Sequence, residues 1–134
     1  MDRSANIIKI IWGGIIAVLN YLFGGFDMVL RVLLVLIVID YITGVISAIY
    51  NKNLSSAIGF NGLLKKVGIL AIVAVGHMVS IGLNIAEIRS LVIGFYIANE
   101  GISILENTGR MGVPLPQKLI DVLAQLKEGG EKDD

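Results

Sequence analysis

Side chains able to do chemistry are few in this sequence, and they recur at helical spacing inside apolar runs. Asp40, Thr43, Gly44, Ser47, Ala48 and Asn51 follow one another at steps that return to one side of a helix. They form a small-and-polar seam opposite a face of valine, leucine and isoleucine. Gly76, His77, Ser80 and Asn84 make a second seam, and Asn99, Glu100, Ser103, Glu106 and Asn107 a third. Such stripes have no use against lipid. Small residues let helices approach, and polar side chains hydrogen-bond across the contact or face water.

The chemistry open to these residues is that of charge and protons in a dry medium. Asp40 lies near the middle of the apolar block Met28 to Tyr50. A carboxylate at that depth costs roughly 2.5–3.5 kcal/mol, so it must face protein or water. It is either a functional ion or proton site or a protonated acid bonded to a neighbouring helix. Glu100 is placed to pair with Lys65 or Lys66, and Glu106 with Arg110 four residues on, as an ordinary helical ion pair. His77 reads as a packed, hydrogen-bonded residue rather than a proton sensor.

Enzyme chemistry finds no support. The chain has no cysteine and one histidine, so thiolate sites and metal clusters of the usual kinds are excluded. No phosphate-cradling loop or nucleophile with a plausible base is present. Of its 134 residues, 55% are hydrophobic and 16% charged, with 11 basic and 11 acidic side chains cancelling to zero. A soluble domain carries about a quarter charged residues. The composition argues against a soluble enzyme, a nucleic-acid binder or a disordered chain, and no cofactor is expected.

The elements that must position the seams are transmembrane helices. Met28 to Tyr50 rises ~34 Å as a helix, enough for a hydrocarbon core of ~30 Å. Leu63 to Asn84 and Ile88 to Asn107 form two further blocks. Backbone groups in lipid must pair internally, so runs of this length are helices. Asn6 to Phe23 is at the short end for a span. It either crosses or embeds in the membrane, packing through Gly13 and Ala17, or lies in the interface. A cleaved signal peptide fits poorly, because bulky Asn20-Tyr21-Leu22-Phe23 stands where small residues are needed. The expected fold is all-α: three transmembrane helices plus a fourth N-terminal hydrophobic helix, oligomeric.

Lysine and arginine set the orientation. Lys52, Lys65 and Lys66 place the loop Asn51 to Gly62 in the cytoplasm. Arg110, Lys118, Lys127 and Lys132 place the tail there too, and Arg3 and Lys9 follow if the first helix spans. Of the 11 cations, only Arg31 and Arg89 then lie outside. In the tail, Gly109 to Pro116 is turn-like. Gln117 to Glu128 gathers Leu119, Ile120, Val122, Leu123 and Leu126 on one helical face, and Gly129-Gly130 should stop that helix. The tail helix is either a cytoplasmic surface helix or an oligomerisation or membrane-surface contact. The chain thus divides into an N-terminal hydrophobic helix (1–27), a transmembrane core (28–108) and a cytoplasmic tail (109–134).

Three stretches together resemble the toxin-secretion/phage-lysis holins. They are Asp40-Tyr41-Ile42-Thr43-Gly44-Val45-Ile46-Ser47-Ala48, then Asn51-Lys52-Asn53-Leu54-Ser55-Ser56, then Gly62-Leu63-Leu64-Lys65-Lys66-Val67. The later run Asn99 to Asn107, followed by Gly112-Val113-Pro114-Leu115-Pro116 and a short charged helix, extends the likeness. Those holins are usually drawn with three spans, so the stretch Asn6 to Phe23 is a departure. The resemblance implies a phage- or prophage-encoded protein of the bacterial inner membrane. Such a protein assembles with itself into lesions that pass an endolysin or a toxin, in some cases restrained by an antiholin, with no nucleic-acid partner. On that reading Asp40, Thr43, Gly44, Ser47, His77, Ser80, Asn99, Glu100 and Ser103 form the pore-lining or assembly seam. Lys65, Lys66, Glu106 and Arg110 are then ion-pairing residues at the cytoplasmic side. A small ion or proton channel subunit is the alternative, and a scaffold whose seams serve only assembly is a third.

Overall fold

A computed structural model describes residues 2–131 and folds them into five helices. These are α1 (Arg3–Phe23), α2 (Met28–Tyr50), α3 (Ser56–Leu83), α4 (Glu87–Gly109) and α5 (Gln117–Glu131). The charged end 132–134, with Lys132, lies outside the described residues. Among the described residues no strand occurs, and α1 to α4 are each long and apolar enough to cross a membrane. The N-terminal stretch is thus a helix of spanning length, and the protein is an all-α membrane protein with four such helices.

Capping chemistry sets the boundaries. The Asp27 side chain accepts a hydrogen bond from the Leu30 N–H and starts α2, and the Ser55 hydroxyl does the same for Ile58 N–H at α3. Asn84 ends α3 in the left-handed conformation at φ 56°, and Gly24 ends α1 at φ 80°. Two boundaries differ from expectation. Helix α3 begins at Ser56, two turns before the apolar block at Leu63, because the Ser55 cap carries it through Gly59, Asn61 and Gly62. Helix α5 runs through Gly129 and Gly130 to Glu131 instead of stopping there.

Helix α4 is the centre of the bundle: α2, α3 and α5 each pack on it, while α1 packs along α3 and reaches the rest of the bundle only through its last turn at Phe23. None of α1 is buried, and Gly13 and Gly14 have open space where a side chain would be. Its small-residue face is therefore not used within one copy. The apolar core comprises Leu30, Leu33 and Ile37 of α2, Ile69 and Val73 of α3, and Ile93 of α4.

The α1–α2 and α3–α4 turns lie together at one end of the bundle. Arg89 joins them, donating to Phe23 O at 2.7 Å and Gly25 O at 3.3 Å, and pairing with Asp27 at 2.8 Å. At Gly24 an added Cβ would meet His77 Cε1 at 2.5 Å, so only glycine admits this approach. Arg31, the other cation of this end, donates to Phe26 O at 3.1 Å and stacks on the Phe26 ring. The Arg89 guanidinium holds the Asp27 carboxyl below its usual 3.8, aided by the Leu30 N–H. A depressed carboxyl stabilises the fold above its unfolded value and ceases to do so as pH falls through its folded value. The clamp should therefore hold at neutral pH and loosen below about pH 4. Asp27→Asn should make protease sensitivity of the α1–α2 turn pH-independent across that window. Equal acid loosening in both proteins would refute the clamp.

Candidate functional site: an ion cluster buried between three helices

Asp40 of α2, Lys66 of α3 and Glu100 of α4 meet inside the bundle. Lys66 Nζ donates to Glu100 Oε2 at 2.7 Å and forms a shorter ion pair with Asp40 Oδ2. Glu100 is 1% exposed and Asp40 5%, so neither carboxylate reaches lipid. Asn107, also buried, closes the cluster from α4. Its Nδ2 lies 2.9 Å from Asp40 Oδ1, 3.1 Å from Asp40 O and 3.0 Å from Thr43 Oγ1. Among the described residues no buried side-chain nitrogen or oxygen lacks a partner. With two carboxylates against one ammonium, the fully ionised cluster carries one net negative charge, and the two N–H groups of Asn107 offset part of it.

The local sequence explains why these atoms converge. Gly44, one turn from Asp40, faces α4: a Cβ there would lie 3.5 Å from Asn107 Nδ2, at ordinary contact distance. Thr43 turns its hydroxyl onto Ile39 O at 2.8 Å, satisfying it within α2 while its oxygen still accepts from Asn107. Ile37, Ile69 and Ile93 lie towards the Arg89 end and fill the bundle beyond the cluster. On the other side a cleft of about 430 Å³ leads to it. Asp40 and Lys66 are at the cleft, with Ser47, Asn51, Ser103, Asn107 and Arg110 along its walls. The cluster thus borders a cleft on one side and is sealed by hydrocarbon on the other. It can hold or release a proton, and it can lock three helices together.

The three seams fare differently. Asp40, Thr43, Gly44, Glu100 and Ser103 come together, and Ser47 is buried near them, accepting through its carbonyl from Asn51 Nδ2 at 2.9 Å. The α3 seam does not join them. Ser80 is spent locally, its hydroxyl donating to Ile85 O at 2.5 Å, and His77 sits at the Arg89 end against Gly24. Asn99 is half-buried beside Glu100 in sequence but makes no side-chain hydrogen bond among the described residues. Of the expected ion-pairing residues, Lys66 is inside the bundle rather than at its surface, and Lys65 is exposed. Glu106 and Arg110 form no ion pair: both are exposed, and Arg110, past the last turn of α4, lies along the cleft instead. In the sequence Asn107 is one polar member of a seam; the structure makes it the donor that joins α4 to Asp40.

Four helices of spanning length, three of them joined by a buried ion cluster, define a small multi-pass helical membrane protein. The sequence matches the bacteriophage holin family over residues 17–128. The chain belongs to that family, which is not one of enzymes. An uncharacterized Listeria innocua protein is 43% identical over 130 residues, covering 95% of this chain and 93% of the relative. An uncharacterized 14.9 kDa Clostridium perfringens protein, from the nagH 3′ region, is 44% identical over 126 residues, covering 90% and 96%. An uncharacterized Bacillus subtilis protein is 37% identical over 113 residues, covering 84% and 80%. No solved structure matches the chain.

Proposed function

We propose that this protein is a holin that accumulates in the inner membrane of a bacterial host with its C-terminus in the cytoplasm. It then associates with further copies to open lesions that pass an endolysin or a toxin. Family membership supports the class, and the placement of cations supports the orientation. The observation that carries the reading is the buried cluster of Asp40, Lys66, Glu100 and Asn107. One copy hides the charges of this cluster within itself, so α2 to α4 can reside in lipid as a closed bundle. The same cluster borders a cleft, where a change of protonation would alter the fit of three helices. An antiholin, where one exists, would act on this closed form.

Expression in a bacterial host with a co-expressed endolysin tests the reading. A holin stops growth abruptly at a set time and releases the endolysin. Asp40→Asn and Glu100→Gln should each shift that time, because each changes the charge that Lys66 must balance. Unchanged timing and unchanged release for both would remove the cluster from the switch. The polar cleft favours one second reading, a small ion or proton channel subunit whose ion site is the cluster. Such a subunit would pass ions and release no protein.

A further inference from the structure

Lys9 lies within α1, a helix of spanning length, and makes no ion pair or side-chain hydrogen bond among the described residues. An ammonium in a spanning helix is costly against lipid. The Asp40–Lys66–Glu100 cluster has the opposite need, with two carboxylates to one ammonium. Arg110 lines the same cleft, but it is exposed past the last turn of α4 and pairs with neither carboxylate. Helix α1 itself is exposed from Asn6 to Tyr21 and half-buried at Leu22 and Phe23.

A groove runs between α2 and α3, which touch each other much less than each touches α4. At the Arg89 end its walls are Leu30 and Leu34 of α2 and Leu70 of α3. There Leu19, Asn20 and Phe23 of α1 close it into a pocket of about 220 Å³. Towards the other end, the same side of α2 continues through Tyr41, Gly44 and Ala48, and that of α3 through Lys66 and Gly62. These residues line the cleft that leads to the cluster. The end of α1 is therefore already seated in the groove whose far half is the cleft. Gly24 at φ 80° and Gly25 at φ 103° join α1 to α2, and Gly25 has open space where a side chain would be. Such a joint admits a change of helix angle.

The shared pocket sets Phe23 level with Leu30 and Leu19 level with Leu34. Antiparallel helices rise equally per residue, so a closed α1 keeps that register. Lys9 is then level with Gly44, one turn from Asp40, and Ala5 is level with Ala48. Asn20, Ile16, Gly13, Lys9 and Asn6 return to one side of α1, so the side that enters the pocket is the side that carries Lys9. Gly13, with nothing near it in the open position, supplies the small residue that close helix approach needs.

We propose that α1 closes lengthwise over the α2–α3 groove as a strap, placing the Lys9 ammonium in the cleft as counterion to the excess carboxylate of the cluster. The unpaired cation of α1 and the unbalanced anion of the bundle then cancel, and the cleft is covered. The α1 of a second copy carries the same charge. The short turn Gly24–Asp27 and the seated end favour the chain's own helix, which the tether holds at high effective concentration. The closure stands apart from the holin reading, since it concerns one copy at rest.

The chain has no cysteine, so introduced pairs report cleanly. The full-length protein carrying Ala5→Cys and Ala48→Cys is oxidised in phosphatidylethanolamine–phosphatidylglycerol vesicles, and the α1–α2 turn is then cut by protease. A disulfide within one chain should keep α1 attached in a band of monomer size. Ala5→Cys with Ile46→Cys, exposed on another side of α2, should not link. Adding Lys9→Gln to the first pair should lower linkage several-fold, and Lys9→Arg should preserve it. No linked monomer, or equal linkage at Ile46→Cys, would overturn the strap. Linked dimers alone would give the groove to a second copy and overturn closure within one chain. Linkage unchanged by Lys9→Gln would overturn the counterion role.

Discussion

Lys66→Met is expected to be the most damaging single substitution in the chain. It removes the ammonium that Asp40 and Glu100 share and leaves two carboxylates facing each other in a dry bundle. Breaking a buried ion pair by removing one partner costs about 3–5 kcal/mol, most of it the penalty of an uncompensated charge. Here two charges lose their partner, and total stability is of the order of 5–15 kcal/mol. The variant should fail to accumulate in membranes, or melt far below the parent in detergent. Replacing all three charges at once, with Lys66→Met, Asp40→Asn and Glu100→Gln together, should recover most of that stability. Neutral residues of similar volume often substitute for a buried ion network without loss. Such a triple variant would be a folded bundle without the cluster's charges, and on the proposed holin reading its lysis time should no longer match the parent's. If Lys66→Met alone melts like the parent, the cluster does not lock the bundle.

Much of this was legible in the sequence, for a physical reason: lipid forces backbone polar groups to pair within the helix, so apolar length reads directly as a span. The seam logic also held for α2 and α4, where Asp40 and Glu100 had to find protein. The Glu100–Lys66 pair is also one of the two that the sequence offers, but Lys66 sits deeper than its place near the start of the apolar block suggests. The Ser55 cap begins α3 earlier, and Lys66 is then about 15 Å along the helix, at the depth of Asp40. A single cap residue thus decided whether a lysine was surface or centre. His77 and Ser80 misled for the opposite reason. Their spacing is that of a seam, but that side of α3 meets the Gly24 turn and the helix end rather than the cluster. Docking of α5 was hidden because an amphipathic helix carries the same pattern whether its apolar face meets a membrane surface or another helix. Only Gly101, a small residue placed opposite Leu123, pointed to a close helical partner.

Asn107→Asp should be the second most harmful change, although it alters one atom's chemistry and almost no volume. The Asn107 amide donates towards Asp40 Oδ1, Asp40 O and Thr43 Oγ1, so every neighbour of that nitrogen is an oxygen. Asn107→Leu removes the donor and leaves buried acceptors unpaired, a cost of about 1–3 kcal/mol. Asn107→Asp does this and also sets a further negative charge where an oxygen of Asp40 lies 2.9 Å away. The cluster already has more carboxylates than ammonium groups, so the added charge finds no partner. The expected order of melting points in detergent at neutral pH is therefore parent, then Asn107→Leu, then Asn107→Asp. An account based on shape alone predicts the reverse, because aspartate matches asparagine and leucine does not. The size of the gap between the two variants also measures how dry the cluster is. Water reaching Asp40 through the cleft would screen the new charge and draw the two melting points together. A wide gap would mean that little water in the cleft reaches the carboxylates and that proton exchange must wait for the helices to part.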